Sequence, residues 1–202
     1  MARTGTLALT SFYSRPLLLL SLTTLFWSGN AIAGRLAIGE VSPLAVVFLR
    51  WIAVSALMIA LYGRQTVAEW PLLKKHLPMI VVMGICGFTA FNSLFYIAAH
   101  ETTAVNLGII QGAMPMFVLF GAFVILRAPV RMLQIVGALV TMSGVAFIAS
   151  QGDFARLAEF EVNPGDGLMI IACVLYALYA VLLRKRPAVS GLVFFTVLSV
   201  VA

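Results

Sequence analysis

The chain reads as an all-α polytopic membrane protein, on three observations. Apolar residues make up 62% of it and charged residues only 10%, against roughly 45–50% and about 25% in a soluble domain. The apolar residues fall in runs of about 20, the length that crosses a bilayer core as a helix. Nearly all the basic residues lie in the gaps between runs and favour alternate gaps; Arg35 and Arg50 lie within runs. The mean hydropathy of +1.08 agrees. This composition excludes a cytosolic enzyme, a disordered chain and a nucleic-acid module. The 13 Lys and Arg give a net charge of +6, but they are not gathered on one element with interleaved aromatics, so no nucleic-acid partner is expected.

Six spans follow in order, over residues 17–38, 43–62, 78–98, 104–126, 132–150 and 167–183. Pro16, Pro43 and Pro78 stand at starts, where a missing N–H costs nothing. Turn residues mark the gaps at Gly39 to Pro43, Gly63 to Pro71, Gly152 and Asn163-Pro164-Gly165. A seventh run begins at Gly191 and is too short to cross by Ala202. Arg3, Arg15, the leucines and Ala31-Ile32-Ala33 have the ingredients of a signal peptide. The apolar run is too long for one and more spans follow, so an uncleaved first helix is expected. Cys86 and Cys173 lie singly in apolar runs and read as small buried hydrophobes. No cofactor or metal is expected.

The charges orient the chain. Arg3, Arg15, Arg64, Lys74, Lys75, Arg127, Arg131, Arg184, Lys185 and Arg186 share one side; Arg156 alone lies in the opposite gaps, with Glu40, Glu101, Asp153, Glu159, Glu161 and Asp166. The positive-inside rule predicts a multi-pass protein of the cytoplasmic (inner) membrane with its N-terminus in the cytoplasm.

Sliding the chain by 149 residues lays Trp27 on Tyr176, Asn30 on Tyr179 and Arg35 on Arg184. The shift equals five spans, an odd number, so the second copy enters from the other side. That is an inverted repeat, the architecture of many secondary transporters. It predicts a ten-helix fold of which these residues are a truncated portion, with about 95 further residues completing the second repeat.

Several short motifs lie in a definite order: Leu25-Phe26-Trp27-Ser28-Gly29-Asn30, Phe48-Leu49-Arg50-Trp51, Thr102-Thr103-Ala104-Val105-Asn106 with Pro115 beyond, Leu133-Gln134-Ile135-Val136-Gly137 through Ser143-Gly144-Val145, and Gly165-Asp166-Gly167-Leu168. With these the chain resembles the EamA family of the drug/metabolite transporter superfamily. The resemblance implies ten-helix carriers of small metabolites, amino acids or drugs, often moved outward. It divides the chain into a cytoplasmic tail (1–16), a first EamA repeat of five transmembrane helices (17–150), an external loop (151–166) and an incomplete start of the second repeat (167–202). The glutamate usual in the turn between helices four and five is absent; Arg127-Ala128-Pro129 stands there.

Polar side chains at membrane depth face protein or a water-filled cavity. Thr23, Trp27, Asn30 and Gly34 share one face of the first span, and Asn92, Tyr96 and His100 one face of the third. Asn106 and Gln111 precede Pro115 in the fourth, and Tyr176 and Tyr179 repeat the Trp27 and Asn30 positions in the sixth. With Arg50, these are the expected cavity and substrate-binding residues: Trp27, Asn30, Arg50, Asn92, Tyr96, Asn106, Gln111, Tyr176 and Tyr179. Each has a plainer reading as helix-to-helix glue or interfacial anchor. Arg50 is the costliest, and either pairs with Glu40 or Glu101, attracts an anionic group, or snorkels. Pro115 leaves the Gln111 carbonyl without its helical partner and offers a hinge. His100 and Glu101, at the outer mouth, are candidates for a proton-linked step. Gly137, Thr141 and Gly144 form a small-residue stripe suited to helix packing, as do Gly84 and Gly87.

The expected function is therefore a non-enzymatic secondary transporter, an exporter of small organic molecules by alternating access. The alternatives are a non-transporting membrane scaffold, a channel without a filter motif, and an intramembrane enzyme using Ser28 and His100. The expected partners are a small-molecule substrate and the lipid bilayer; a homodimer is left open. Residues 1–202 alone are expected to be unstable or inactive unless a second half encloses the site.

Overall fold

The computed structural model describes residues 15–36, 41–150, 152 and 162–202. All regular elements among them are helical. The α-helices among them are α1 (Pro16–Leu36), α2 (Pro43–Leu73), α3 (Leu77–Gly84), α4 (Phe91–Glu101), α5 (Ala104–Gly112), α6 (Met114–Leu126), α7 (Met132–Ala149), α8 (Pro164–Leu182) and α9 (Gly191–Val201), with short 3-10 turns at Lys74–His76 and Leu183–Lys185. Two compact units divide after Val46.

In the first unit, α1 begins at Pro16. The Thr23 and Thr24 hydroxyls donate to the carbonyls of Leu19 (2.8 Å) and Ser21 (2.9 Å). Such back-bonding satisfies a hydroxyl without water. Thr23, expected on the cavity face with Trp27 and Asn30, thus spends its proton inside its own helix. At the start of α2, the Ser42 hydroxyl accepts from the Ala45 N–H at 3.3 Å.

In the second unit, α8 packs against α3, α4, α5 and α6. One buried cluster joins Leu73, Ile80 and Met83 to Val193, Phe194, Val197 and Leu198 of α9. A second joins Ala98 and Leu107 to Met169, Ala172 and Cys173. Large apolar side chains elsewhere point outward, among them Phe120, Leu133, Leu139 and Ile148.

Three helical runs among the described residues are long and apolar enough to cross a membrane: Leu44–Glu101, Ala104–Leu126 and Pro164–Lys185. The first folds back on itself. Straight, its 58 residues would span about 87 Å at 1.5 Å per residue, yet the rings of Trp51 and Phe88 lie 4.8 Å apart. It covers the residues expected as the second and third spans, 43–62 and 78–98. Pro16–Phe26, Met132–Ile148 and Gly191–Val201 are shorter apolar helices.

Four local expectations are corrected. The predicted turn from Gly63 to Pro71 is helical, and α2 runs 31 residues with Pro71 inside it. A helix of that length is about 46 Å long, more than the bilayer core of about 30 Å, so its last turns can project beyond the core. There a glycine costs only about 1 kcal/mol, and the carbonyl that Pro71 leaves free belongs to Val67, an exposed residue. The third span is not one α-helix: a π-helical segment, Ile85–Ala90, joins α3 to α4. The fourth breaks at Ala113, whose N–H bonds the carbonyls of Ile109 (3.2 Å) and Ile110 (3.1 Å) before α6 restarts at Met114. Finally, the Gly137, Thr141 and Gly144 stripe is exposed, and a Cβ at either glycine would meet nothing within 4 Å. The close approach on α7 is at Val145 instead: a Cβ on Gly112 would lie 3.0 Å from its side chain. Gly84 does pack closely: a Cβ there would lie 2.7 Å from Val201.

Candidate functional site

Tyr176 and Tyr179 lie one turn apart on α8. Their rings are 5.5 Å apart. Tyr179 reaches the π segment, where its ring lies 5.1 Å from Phe88. Gly87 makes that approach possible, since a Cβ there would stand 2.5 Å from the Tyr179 ring. The extra residue in a π turn alters the helical phase, so residues on either side of it address different neighbours. Phe88 meets Trp51 of α2 at 4.8 Å and Phe195 of α9 at 5.9 Å. Phe91, beyond the segment, meets Tyr176 at 5.0 Å and Phe95 at 6.3 Å, and Phe95 meets Tyr96 at 5.6 Å. A continuous ladder of tilted and stacked rings thus runs from Tyr96 to Trp51 across α2, α4, α8 and the π segment. Such ring pairs contribute about 0.5–1.5 kcal/mol each beyond burial.

Polar groups stand at its edges. The Arg50 guanidinium carbon lies 5.6 Å from the centre of the Trp51 ring, a cation–π distance. The Asn92 amide donates to the Phe88 carbonyl at 2.6 Å, inside the segment. Asn92, Tyr96, Tyr176 and Tyr179 are all half-buried.

A second constellation lies at the start of α8. Asp166, 3% exposed, accepts hydrogen bonds from the Thr102 hydroxyl, the Asn106 amide (3.0 and 3.2 Å to its two oxygens) and the Asn163 N–H (2.9 Å). Gly165 beside it has no room for a side chain, whose Cβ would fall 2.7 Å from the Ala98 carbonyl oxygen. The first turn of α8 is therefore pinned on the end of α4 and the start of α5.

Of the expected site residues, Arg50, Tyr96, Tyr176 and Tyr179 join one ladder, with Asn92 beside it. Asn106 lies in the Asp166 junction. Gln111 and Pro115 are exposed on either side of the Ala113 break, and His100 and Glu101 are exposed at the end of α4. The side chains of Trp27 and Asn30 lie outside the described residues, as do Glu40, Asp153, Arg156, Glu159 and Glu161. No group of three or more His, Cys, Asp or Glu able to hold a metal occurs among the described residues.

The model of the EamA-like transporter family matches residues 14–150. The chain belongs to the EamA-like transporter family. This EamA-like chain is 30% identical over 178 residues to an uncharacterized transporter of Archaeoglobus fulgidus, covering 85% of the chain and 58% of that relative. It is 27% identical over 148 residues to the uncharacterized transporter YyaM of Bacillus subtilis, covering 73% of the chain and 48% of that relative. The EamA-like chain spans about half the length of these curated relatives. No solved structure matches it. Its family and its long apolar helices make it an integral membrane protein.

In this EamA-like chain the sequence reading missed Trp51, Phe88, Phe91, Phe95 and Phe195 as ladder members. A signal existed for three of them: Phe88, Phe91 and Phe95 recur at helical spacing, as do Tyr176 and Tyr179. The burial of Asp166 was missed as well. Its capping role is legible, because Asn163 and Asp166 form a capping box at the start of α8. Where the family's usual glutamate is absent, Arg127 closes α6 in the left-handed conformation, at φ 51°. The following Ala128 N–H bonds the Ala122 carbonyl at 3.2 Å, a helix stop that needs no acidic side chain.

Proposed function

We propose that the full-length protein is a secondary transporter that exports small, partly apolar organic molecules across the cytoplasmic membrane by alternating access, with its N-terminus in the cytoplasm. The ring ladder carries this reading. It draws on α2, α4 and α8 together, has polar groups at its edges, and supplies aromatic side chains of the kind that line organic-ligand sites. Arg50, Asn92, Tyr96, Tyr176 and Tyr179 line the path. The repeat offset of 149 residues supports a second, inverted half that encloses the other side. Gln111 and Asn106 flank the path on α5, and the break at Ala113–Pro115 serves as hinge. His100 and Glu101 stand at the outer mouth, where a proton-linked step would meet water.

Flux in proteoliposomes tests it. The full-length protein should give saturable, trans-stimulated uptake of at least one member of a panel of radiolabelled aromatic amines, amino acids and carboxylates. Linear, non-saturable flux would indicate a channel. Flux no greater than in empty vesicles for the whole panel would remove the transporter reading.

A further inference from the structure

Among the described residues, a single buried side-chain nitrogen or oxygen has no hydrogen-bond partner: the indole nitrogen of Trp51. Trp51 is 9% exposed. An indole has one polar group, a donor, and a buried N–H without an acceptor is costly where neither water nor lipid can supply one. Its surroundings are rings, Phe88 at 4.8 Å and Phe195 at 6.4 Å. One turn along α2 the Ser55 hydroxyl is engaged elsewhere, donating to the Ser199 carbonyl. The Arg50 guanidinium carbon stands 5.6 Å from the centre of the same ring, so a cation adjoins the indole that carries the unsatisfied donor.

Resting on the ladder as the transport path, we propose that the Trp51 indole N–H reads an acceptor oxygen of the transported molecule. That molecule is an organic anion, its apolar or aromatic body against Phe88 and Phe195 and its oxyanion between the Trp51 N–H and Arg50. The nitrogen is enclosed in this structure, so the contact forms when the helices part during the transport cycle. A donor left unsatisfied in the closed form and satisfied in the loaded one gives the ligand a differential affinity for the two states, which is what shifts their populations.

The test uses full-length protein in lipid nanodiscs with ¹⁵N-labelled indoles. The Trp51 signal is assigned by its loss in Trp51→Phe, or in Trp51→Tyr if the first variant does not fold. The probes are phenylacetate and phenethylamine, close in size and opposite in charge. In the free protein the Trp51 N–H signal should sit at the position of a non-hydrogen-bonded indole. It should move downfield on saturation with phenylacetate and stay in place with phenethylamine. Trp51→Phe, which keeps an aromatic ring, should weaken phenylacetate binding about tenfold, the scale of one hydrogen bond to a charged group. A Trp51 N–H already bonded in the free protein overturns the proposal. So does phenylacetate binding that leaves the signal unmoved, or equal binding of phenethylamine. Saturable transport of other solutes with neither probe bound also overturns it, while leaving the transporter reading standing; no saturable transport at all removes that reading instead.

Discussion

Asp166→Ala is expected to destabilise the protein by about 2–4 kcal/mol, the scale of leaving more than one buried donor unpaired. The carboxylate is 3% exposed and accepts from Thr102, Asn106 and Asn163. Alanine removes every one of those acceptor contacts at once. Each donor left without an acceptor costs about 1–3 kcal/mol, and the Asn106 side chain, 4% exposed, has little access to water. Asp166→Asn keeps one acceptor oxygen and should lose markedly less. Thermal unfolding of the purified full-length protein in detergent measures both. An Asp166→Ala midpoint equal to the wild type would show that α8 is not held at this junction.

Gly87→Ala is expected to disrupt the ladder at its tightest point. The added Cβ would fall 2.5 Å from the Tyr179 ring, well inside contact distance, so the ring must leave its place against Phe88. Overpacking of this kind costs about 1–3 kcal/mol. Transport should fall more than stability does, because the ring displaced belongs to the proposed path. Comparing saturable uptake and the thermal midpoint of Gly87→Ala with those of Gly144→Ala separates the two effects. Gly144 has open space around it, so its variant should keep both. Full uptake in Gly87→Ala would mean that Tyr179 does not line the path.

The helical runs over 104–126, 132–149 and 164–182 were legible because transfer into lipid is written directly in apolar run length, though the break at Ala113 was not. The start of α8 fell in the predicted turn at Asn163-Pro164-Gly165, although Asn163 and Asp166 stand at capping spacing. Other features depend on tertiary contacts that local pattern does not encode. Gly63 and Pro71 read as a turn, yet one tolerated glycine and one exposed proline do not end a helix whose remaining residues favour it. The π segment is a shift in backbone hydrogen-bond register, accompanied by Phe88 lying between Trp51 and Tyr179; nothing in Ile85–Ala90 announces it. The stripe at Gly137, Thr141 and Gly144 has the right residues for close packing, but spacing alone does not say which neighbour arrives. For the candidate site, Tyr176 and Tyr179 were found through polarity at membrane depth. The phenylalanines that join them look like any other lipid-soluble residue until the helices are assembled, and Asp166 looks like a loop acid.

The most direct test of the account is the water accessibility of the ladder. In a cysteine-free background of the full-length protein (Cys86→Ala and Cys173→Ala among the changes), single cysteines at Asn92 and Tyr176 are compared with ones at Phe123 and Leu139, which face outward. A membrane-impermeant maleimide should label positions 92 and 176 in intact membrane vesicles and leave 123 and 139 unlabelled. Ladder positions as inert as the two outward-facing controls would contradict the claim that these rings and polar groups border an aqueous path.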